Sequence, residues 1–388
     1  MNKFTKGIAA SAITAAMVLP LTANATNGIL PYGNGMVAHG MGGAGIANPG
    51  DAMAGVDNPA LIARTGNQWE IGASLFSPHR AANLGGGYVD SDNNYFIIPQ
   101  GAFVGNISSK WDWGVLVSAL GGMNTDYPSD LVGESVGFDL SGIIIAPTVS
   151  FKIAPKHSIG LSILLGYEMM ETDGAAAFGV GDHSDTATGA GIKIGYAGDL
   201  GKNTTLGVFY QSEISMSEMS EHCDTADGAL AGVKANGGSC ALSLPDMYGL
   251  GIAHKFNEKV KLVADIVQVN WTSVDVFSYS ASQFGFGWQD QTIFKIGAEW
   301  KSSETLAWRI GYNHGNSPIK DESVQRNVLA PAVTEDHFSL GLGQSLSKKS
   351  DLNYYIAYVP ENEQTDSNTG AQIKMWQWAA GIGYNAKF

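Results

Sequence analysis

The 388-residue chain carries 36 acidic against 22 basic side chains, a formal net charge of −14, yet only 15% of its residues are charged and 50 are glycine. That balance excludes a nucleic-acid binder, because phosphate contacts need a basic surface. Mean hydropathy lies near zero, and past the amino terminus no stretch approaches the roughly 20 consecutive apolar residues of a spanning helix.

Residues 1–25 combine a basic start (Lys3, Lys6), an apolar run over 8–21 and a small-x-small end at Ala23-Asn24-Ala25. This is the pattern of a secretory signal peptide, too short in its apolar part to be an anchor. Export is therefore the expectation, and the segment is set aside from the fold. The leader holds no acid, so the rest of the chain is more negative still.

Residues 26–66 are crowded with glycine, carry Asp51, Asp57 and Arg64 as formal charges, and show neither a period of two nor a helical stripe. A segment of that composition does not bury enough to fold alone. The expectation is a plug, or hatch, inside a wall formed by residues 67–388. Gly40, Gly42 and Gly45 match the G-x-G-x-x-G spacing of dinucleotide sites, but no strand precedes them and no helical pattern follows. Tight backbone packing is the better reading.

From residue 68 on, alternation and aromatic or β-branched content predict strands over 68–76, 96–107, 112–121, 143–153, 158–168, 189–197, 205–214, 247–256, 260–271, 291–300, 306–314, 337–346, 352–359 and 375–388. Tight polar turns alternate with long glycine-rich or polar connections at 77–95, 122–142, 169–188, 215–246, 272–290, 315–336 and 360–374. A strict short–long rhythm with about fourteen strands, an even number, predicts an all-β transmembrane antiparallel barrel with brief turns at one end and extended loops at the other. The last strand is the clearest. Trp376, Trp378, Ala380, Ile382, Tyr384, Ala386 and Phe388 share one face, fit to meet lipid with Trp and Tyr near the interfaces. A soluble edge strand would leave that row in water. Ending on Phe388 also resembles the terminal aromatic by which outer-membrane proteins meet their barrel assembly machinery.

Cys223 and Cys240 are the two cysteines, close together in one loop and outside any C-x-x-C motif. In an oxidising compartment they are expected to pair and restrain that loop. The many loop acids read as solvation, with divalent cations bridging lipopolysaccharide as a further use. The eight histidines form no H-E-x-x-H or close metal pair, and no G-x-S-x-G elbow is present. No cofactor, metal site or catalytic residue is expected.

Several stretches, in order along nearly the whole chain, resemble the FadL-type outer-membrane transporters of long-chain fatty acids and aromatic hydrocarbons: Gly40-Met41-Gly42-Gly43-Ala44-Gly45 leading to Asn58-Pro59-Ala60, then Phe76-Ser77-Pro78, 121–127 (GGMNTDY), Ala146-Pro147-Thr148, Asn270-Trp271, 309–312 (RIGY) and 327–333 (NVLAPAV). The resemblance implies a monomeric fourteen-stranded barrel with an N-terminal hatch carrying Gly42, Gly43 and Asn58-Pro59-Ala60. It also implies an apolar lumen pocket and lateral release into the membrane through a gap at a kink in the third strand, placed here at Gly121-Gly122. For a fatty acid a cation should meet the carboxylate, with Lys193, Lys295, Arg309 and Arg326 as the candidates. A pocket lined by apolar groups alone would instead point to a neutral hydrocarbon. The remaining classes are a structural or adhesive surface barrel and a barrel enzyme whose site is assembled from distant residues.

Overall fold

A computed structural model describes residues 26–174 and 176–388; residues 1–25, where a signal peptide is expected, lie outside the described residues. Fourteen long strands form one antiparallel sheet: β1 (Gln68–Asn83), β2 (Phe96–Asn106), β3 (Trp111–Tyr127), β4 (Val136–Ala154), β5 (His157–Asp173), β6 (His183–Leu200), β7 (Thr204–Gln211), β8 (Met247–Lys255), β9 (Val260–Val269), β10 (Gln291–Lys301), β11 (Leu306–Gly315), β12 (Asp336–Ser347), β13 (Ser350–Thr365) and β14 (Gln372–Lys387). Each pairs with its sequence neighbour, and β14 pairs with β1 from Gln68↔Lys387 to Asn83↔Gln372, which closes the barrel and leaves the sheet without a free edge. Two-residue strands, Val89–Asp90 and Ser215–Met216, attach inside loops to β1 and β6.

The wall alternates as its sequence does. Along β10, Phe294, Ile296 and Trp300 are exposed while Ile293, Gly297 and Glu299 are buried. The same outward row continues through Ile159, Leu161, Ile163 and Leu165 of β5, and Ile192 and Ile194 of β6. Large apolar groups standing outward on every side are stable where the surrounding solvent is lipid.

The predicted strands coincide with the observed ones at the short-turn end and fall short at the long-loop end. β1 runs to Asn83 rather than 76, β3 to Tyr127 rather than 121, β4 starts at Val136 rather than 143, and β13 runs to Thr365 rather than 359. These extensions carry polar residues on both faces, as in 77–83 (SPHRAAN), and so lose the period of two that marks a strand against lipid. Two strands stop two or more residues early: β7 ends at Gln211, and β9 ends at Val269 before a helical turn at Trp271–Ser273.

Residues 26–66 contain three short helical turns, Met36–His39, Ala54–Asp57 and Ile62–Thr65, and a 3-10 turn, Pro59–Leu61. Nearly all of this segment is buried against inward side chains of the wall. Gly42 lies directly on the wall: its φ is +68°, and a Cβ there would stand 2.6 Å from the backbone of Tyr312 on β11. Only glycine fits that spot.

Candidate functional site: a break beside strand 3 and the cavities behind it

Strand β3 is where the wall is incomplete. Its pairing with β2 runs from Asn106↔Asp112 to Gly101↔Val117 and stops, while β2 continues alongside β1 to Phe76↔Phe96. Beyond Val117, β3 therefore has β4 as its strand partner on one side and none on the other. Pairing with β4 is continuous except for a bulge at Leu120, between Ala119 and Gly121. A bulge bends its strand and redirects one side chain; here Leu120 is 2% exposed and packs against Gly142 and Gly166.

Gly121 and Gly122 meet the N-terminal segment at this bulge. Gly122 N–H donates to the Ile29 carbonyl at 3.0 Å. Gly121 has φ +151°, and a Cβ on it would lie 2.7 Å from the same carbonyl oxygen. The main chain of residue 29 thus takes over a hydrogen bond that a neighbouring strand would otherwise supply.

The N-terminal segment is held on all sides by polar groups. Asn58 caps Pro59–Leu61 by accepting from Ala60 N–H, and its Nδ2 donates to the carbonyls of Ile46 and Tyr196, both at 2.9 Å. Pro59 and Ala60 press on Gly160 of β5, where a Cβ would not fit, and Ser158 Oγ donates to the Ala60 carbonyl. Gly42 N–H donates to Ser339 Oγ, and Asp265 on β9 accepts from the amides of Gly45 and Ile46 at 2.7 and 3.1 Å. Arg64 pairs with Asp199 near the short-turn end. Inside the segment, Asp51 accepts from Val37 and Ala54 N–H, and burial pushes its carboxyl up to about 6. Burial holds the His39 imidazole down near 4, so it is neutral, stacked on Tyr355 with ring centroids 4.6 Å apart.

Two cavities flank residues 31–34 and both reach Ser118 and Ala119 at the break. One, of about 100 Å³, is lined by Leu30, Ile46, Leu120, Phe209, Val267 and Ile293 among its apolar members, with Lys193, Lys295 and Asp57 as its charged members and Asn27, Asn34, Ser118 and Gln211 as its neutral polar ones. The other, of about 30 Å³, is aromatic and neutral, with Tyr32, His39, Phe76, Tyr355 and Gln100. In the first, Lys193 donates to the Val56 carbonyl at 2.7 Å and lies 4.6 Å over the Phe209 ring, and Lys295 donates to the Tyr32 carbonyl at 2.8 Å. Each ammonium has three donors, so both can also serve a ligand.

The other two candidate cations sit elsewhere. Arg309 faces a polar cleft at the short-turn end and pairs with Glu299 at 2.8 Å. Arg326 lies among the long loops, donating to the carbonyls of Ala229 and Phe284. Neither lines the cavity with Lys193 and Lys295, because the sequence marks an inward residue without giving its height along the barrel axis. Cys223 and Cys240 are joined by a disulfide in the loop between β7 and β8. Sequence reasoning missed Ser118, Gln100, Asp57 and Asp265; an isolated acid at an inward strand position is the signal that could have found Asp265.

A family model described as "Outer membrane protein transport protein (OMPP1/FadL/TodX)" matches residues 8–386. No curated protein matches the chain. Among solved structures, the toluene transporter TodX of P. putida superposes with a TM-score of 0.70 at 19% identity, covering 92% of this chain and 99% of that one. The toluene transporter TbuX of Ralstonia pickettii gives 0.67 at 17%, covering 92% and 99%. A FadL homologue of Pseudomonas aeruginosa gives 0.68 at 16%, covering 95% and 100%. At these identities the structures attest the shared barrel.

Proposed function

This chain belongs to the OMPP1/FadL/TodX family of outer-membrane transport proteins, which carry hydrophobic compounds rather than catalyse reactions, and we propose that its ligand is a long-chain fatty acid. The carboxylate is held by Lys193 and Lys295, and the tail leaves sideways through the break beside β3. Residues 26–66 act as a hatch. They deny the lumen to water and small solutes, and they supply the carbonyls that hold both lysines in place.

One observation carries this reading: two ammonium groups, Lys193 buried and Lys295 half-buried, share with the single carboxylate Asp57 a mixed polar and apolar cavity that reaches the stretch of β3 lacking a strand neighbour. Burying an alkyl chain gains on the order of 0.8 kcal/mol per CH₂, enough to collect a ligand from dilute solution. A lateral exit then delivers the tail to lipid without returning it to water. The cavity needs to enclose the head alone.

A second reading follows from the neighbouring cavity. It has a neutral, aromatic lining of Tyr32, His39, Phe76 and Tyr355 suited to stacking a ring, and a neutral monoaromatic hydrocarbon is the alternative ligand. Uptake of labelled oleate and toluene by cells with and without the protein separates the two. Lys193→Met with Lys295→Met should lower oleate uptake about tenfold, the scale of one or two lost charge-assisted hydrogen bonds, and leave toluene uptake unchanged. Toluene uptake alone in the wild type would support the second reading, and uptake of neither would end the transport account.

A further inference from the structure

The break beside β3 is bounded below by the Gly101↔Val117 pair, and above by one side chain together with the loop that it grips. Arg80, near the loop end of β1, is 2% exposed and forms no ion pair with a carboxylate among the described residues. Its five N–H groups lie within hydrogen-bond distance of six oxygens on three pieces of chain, two of which share one N–H of Nη2. Nε and Nη2 reach across to β3, to the Asn124 carbonyl and Oδ1, both at 2.9 Å. Nη1 takes the Pro78 carbonyl on β1 and Asn94 Oδ1, while Nη2 takes Ser91 Oγ and the Asn93 carbonyl. The loop it grips continues the bridge, since Asp92 N–H donates to the Asp126 carbonyl and Asp126 N–H to Ser91 Oγ.

A buried cation without a counter-charge is costly. A Met or Leu at position 80 would pack there without that cost, but it would leave β1 joined to β3 above the break through the loop at 89–92 alone, with no direct tie where β2 is absent from between them. The fork shape of the guanidinium lets one side chain hold both strands and the loop at fixed separation. Lysine, with three donors on a flexible stem, cannot reproduce that span.

We propose that Arg80 is the lintel of the lateral opening: a positioning residue that fixes the height of the gap between β2 and β3 and so limits the bulk of the molecule that passes through it. This rests on the lateral-exit reading above. Without the lintel, β3 above the gap keeps β4, Ile29 and the loop contacts at Asp126 but loses its direct tie to β1, and the gap widens toward the loops.

The test compares uptake of radiolabelled oleate with that of a fatty acid ending in a pyrene ring, in cells carrying wild type, Arg80→Lys or Asn124→Ala, with folded barrel in the outer membrane quantified by heat-modifiable mobility. The pyrene-to-oleate ratio should rise on the order of tenfold in Arg80→Lys, the scale of one or two lost charge-assisted hydrogen bonds. In Asn124→Ala, where the carbonyl contact survives, it should rise roughly threefold. A barrel that is merely destabilised lowers both uptakes together and leaves the ratio alone. An unchanged ratio in folded Asn124→Ala and Arg80→Lys overturns the lintel while wild-type oleate uptake keeps the transport reading intact; absence of wild-type uptake of either acid removes both.

Discussion

Strand β3 has two unlike edges. Toward β4 it is paired from Trp111↔Phe151 to Tyr127↔Val136 with one bulge, and toward β2 the pairing ends at Val117. The residues that stand between the two states, Ser118 to Gly122, are the same on both edges, so the opening does not come from poor strand propensity in β3. It comes from what occupies the free side: the shorter β2, the main chain of Ile29, and the Arg80 bridge. An opening in a barrel wall is stable when other groups take up the hydrogen bonds of the missing strand.

Removing one occupant outright should break this contrast most strongly. Deletion of residues 26–66 takes away the Ile29 carbonyl, the lysine-holding carbonyls and the filling of the lumen together. Single-channel recordings should then change from closed to steadily conducting, and oleate uptake should lose its saturability. Unchanged conductance would remove the hatch from the mechanism.

A milder loosening comes from pH. Burial raises the Asp51 carboxyl to about 6, against the opposing amides of Val37 and Ala54 and the charge of Arg309. In a released segment the group would titrate in the ordinary carboxylate range, near 4. Its docked pKa is the higher one, so docking binds a proton; this contribution is full below the ordinary range and is lost as pH rises through about 6. The loss is about 3 kcal/mol. Protease nicking of residues 26–66 in purified protein should increase between pH 4.5 and 7, and Asp51→Asn should flatten that increase. A variant with the wild-type profile would assign the pH response to another group.

The smallest change sharpens the contrast at the bulge itself. Gly121→Val places a Cβ 2.7 Å from the Ile29 carbonyl oxygen at a backbone angle that L residues avoid. The strain is about 1–2 kcal/mol. Oleate uptake should fall roughly tenfold in an otherwise normally assembled barrel, whereas Gly122→Ala, at a glycine without positive φ, should cost less. Equal effects of the two would separate the bulge from transport.

The barrel was legible in the sequence wherever lipid writes the pattern. The row Trp376 to Phe388 located its strand to within three residues at one end and one at the other, and the short gap between the strands predicted at 247–256 and 260–271 fell within a residue of the observed turn, because alternation against lipid is strict. Toward the loops the same strands carry polar and apolar residues on both faces and are covered by loops, so the extensions of β1 to Asn83 and β3 to Tyr127 left no mark. The site was legible only in part. Gly121-Gly122 stood out as a place where a strand can bend, and the two lysines as inward cations. Their convergence at one cavity depends on strand register, and Arg80 had no signal at all, since a lone arginine in a polar loop reads as solvated. Contacts such as Arg80 with Asn124 arise between segments 44 residues apart in sequence, a relation that local periodicity does not encode.

The central claim is that ligand leaves through the gap between β2 and β3. Gln100 and Ser118 are the next positions beyond the last paired rung, Gly101↔Val117, and both line the cavity behind the gap. A Gln100→Cys and Ser118→Cys double variant, oxidised in cells, adds a covalent rung and narrows the gap from below; wild type treated with the same oxidant and reductant controls for the Cys223–Cys240 bond. The account predicts that oleate uptake stops on oxidation and returns on reduction. Full uptake through the cross-linked barrel would contradict it.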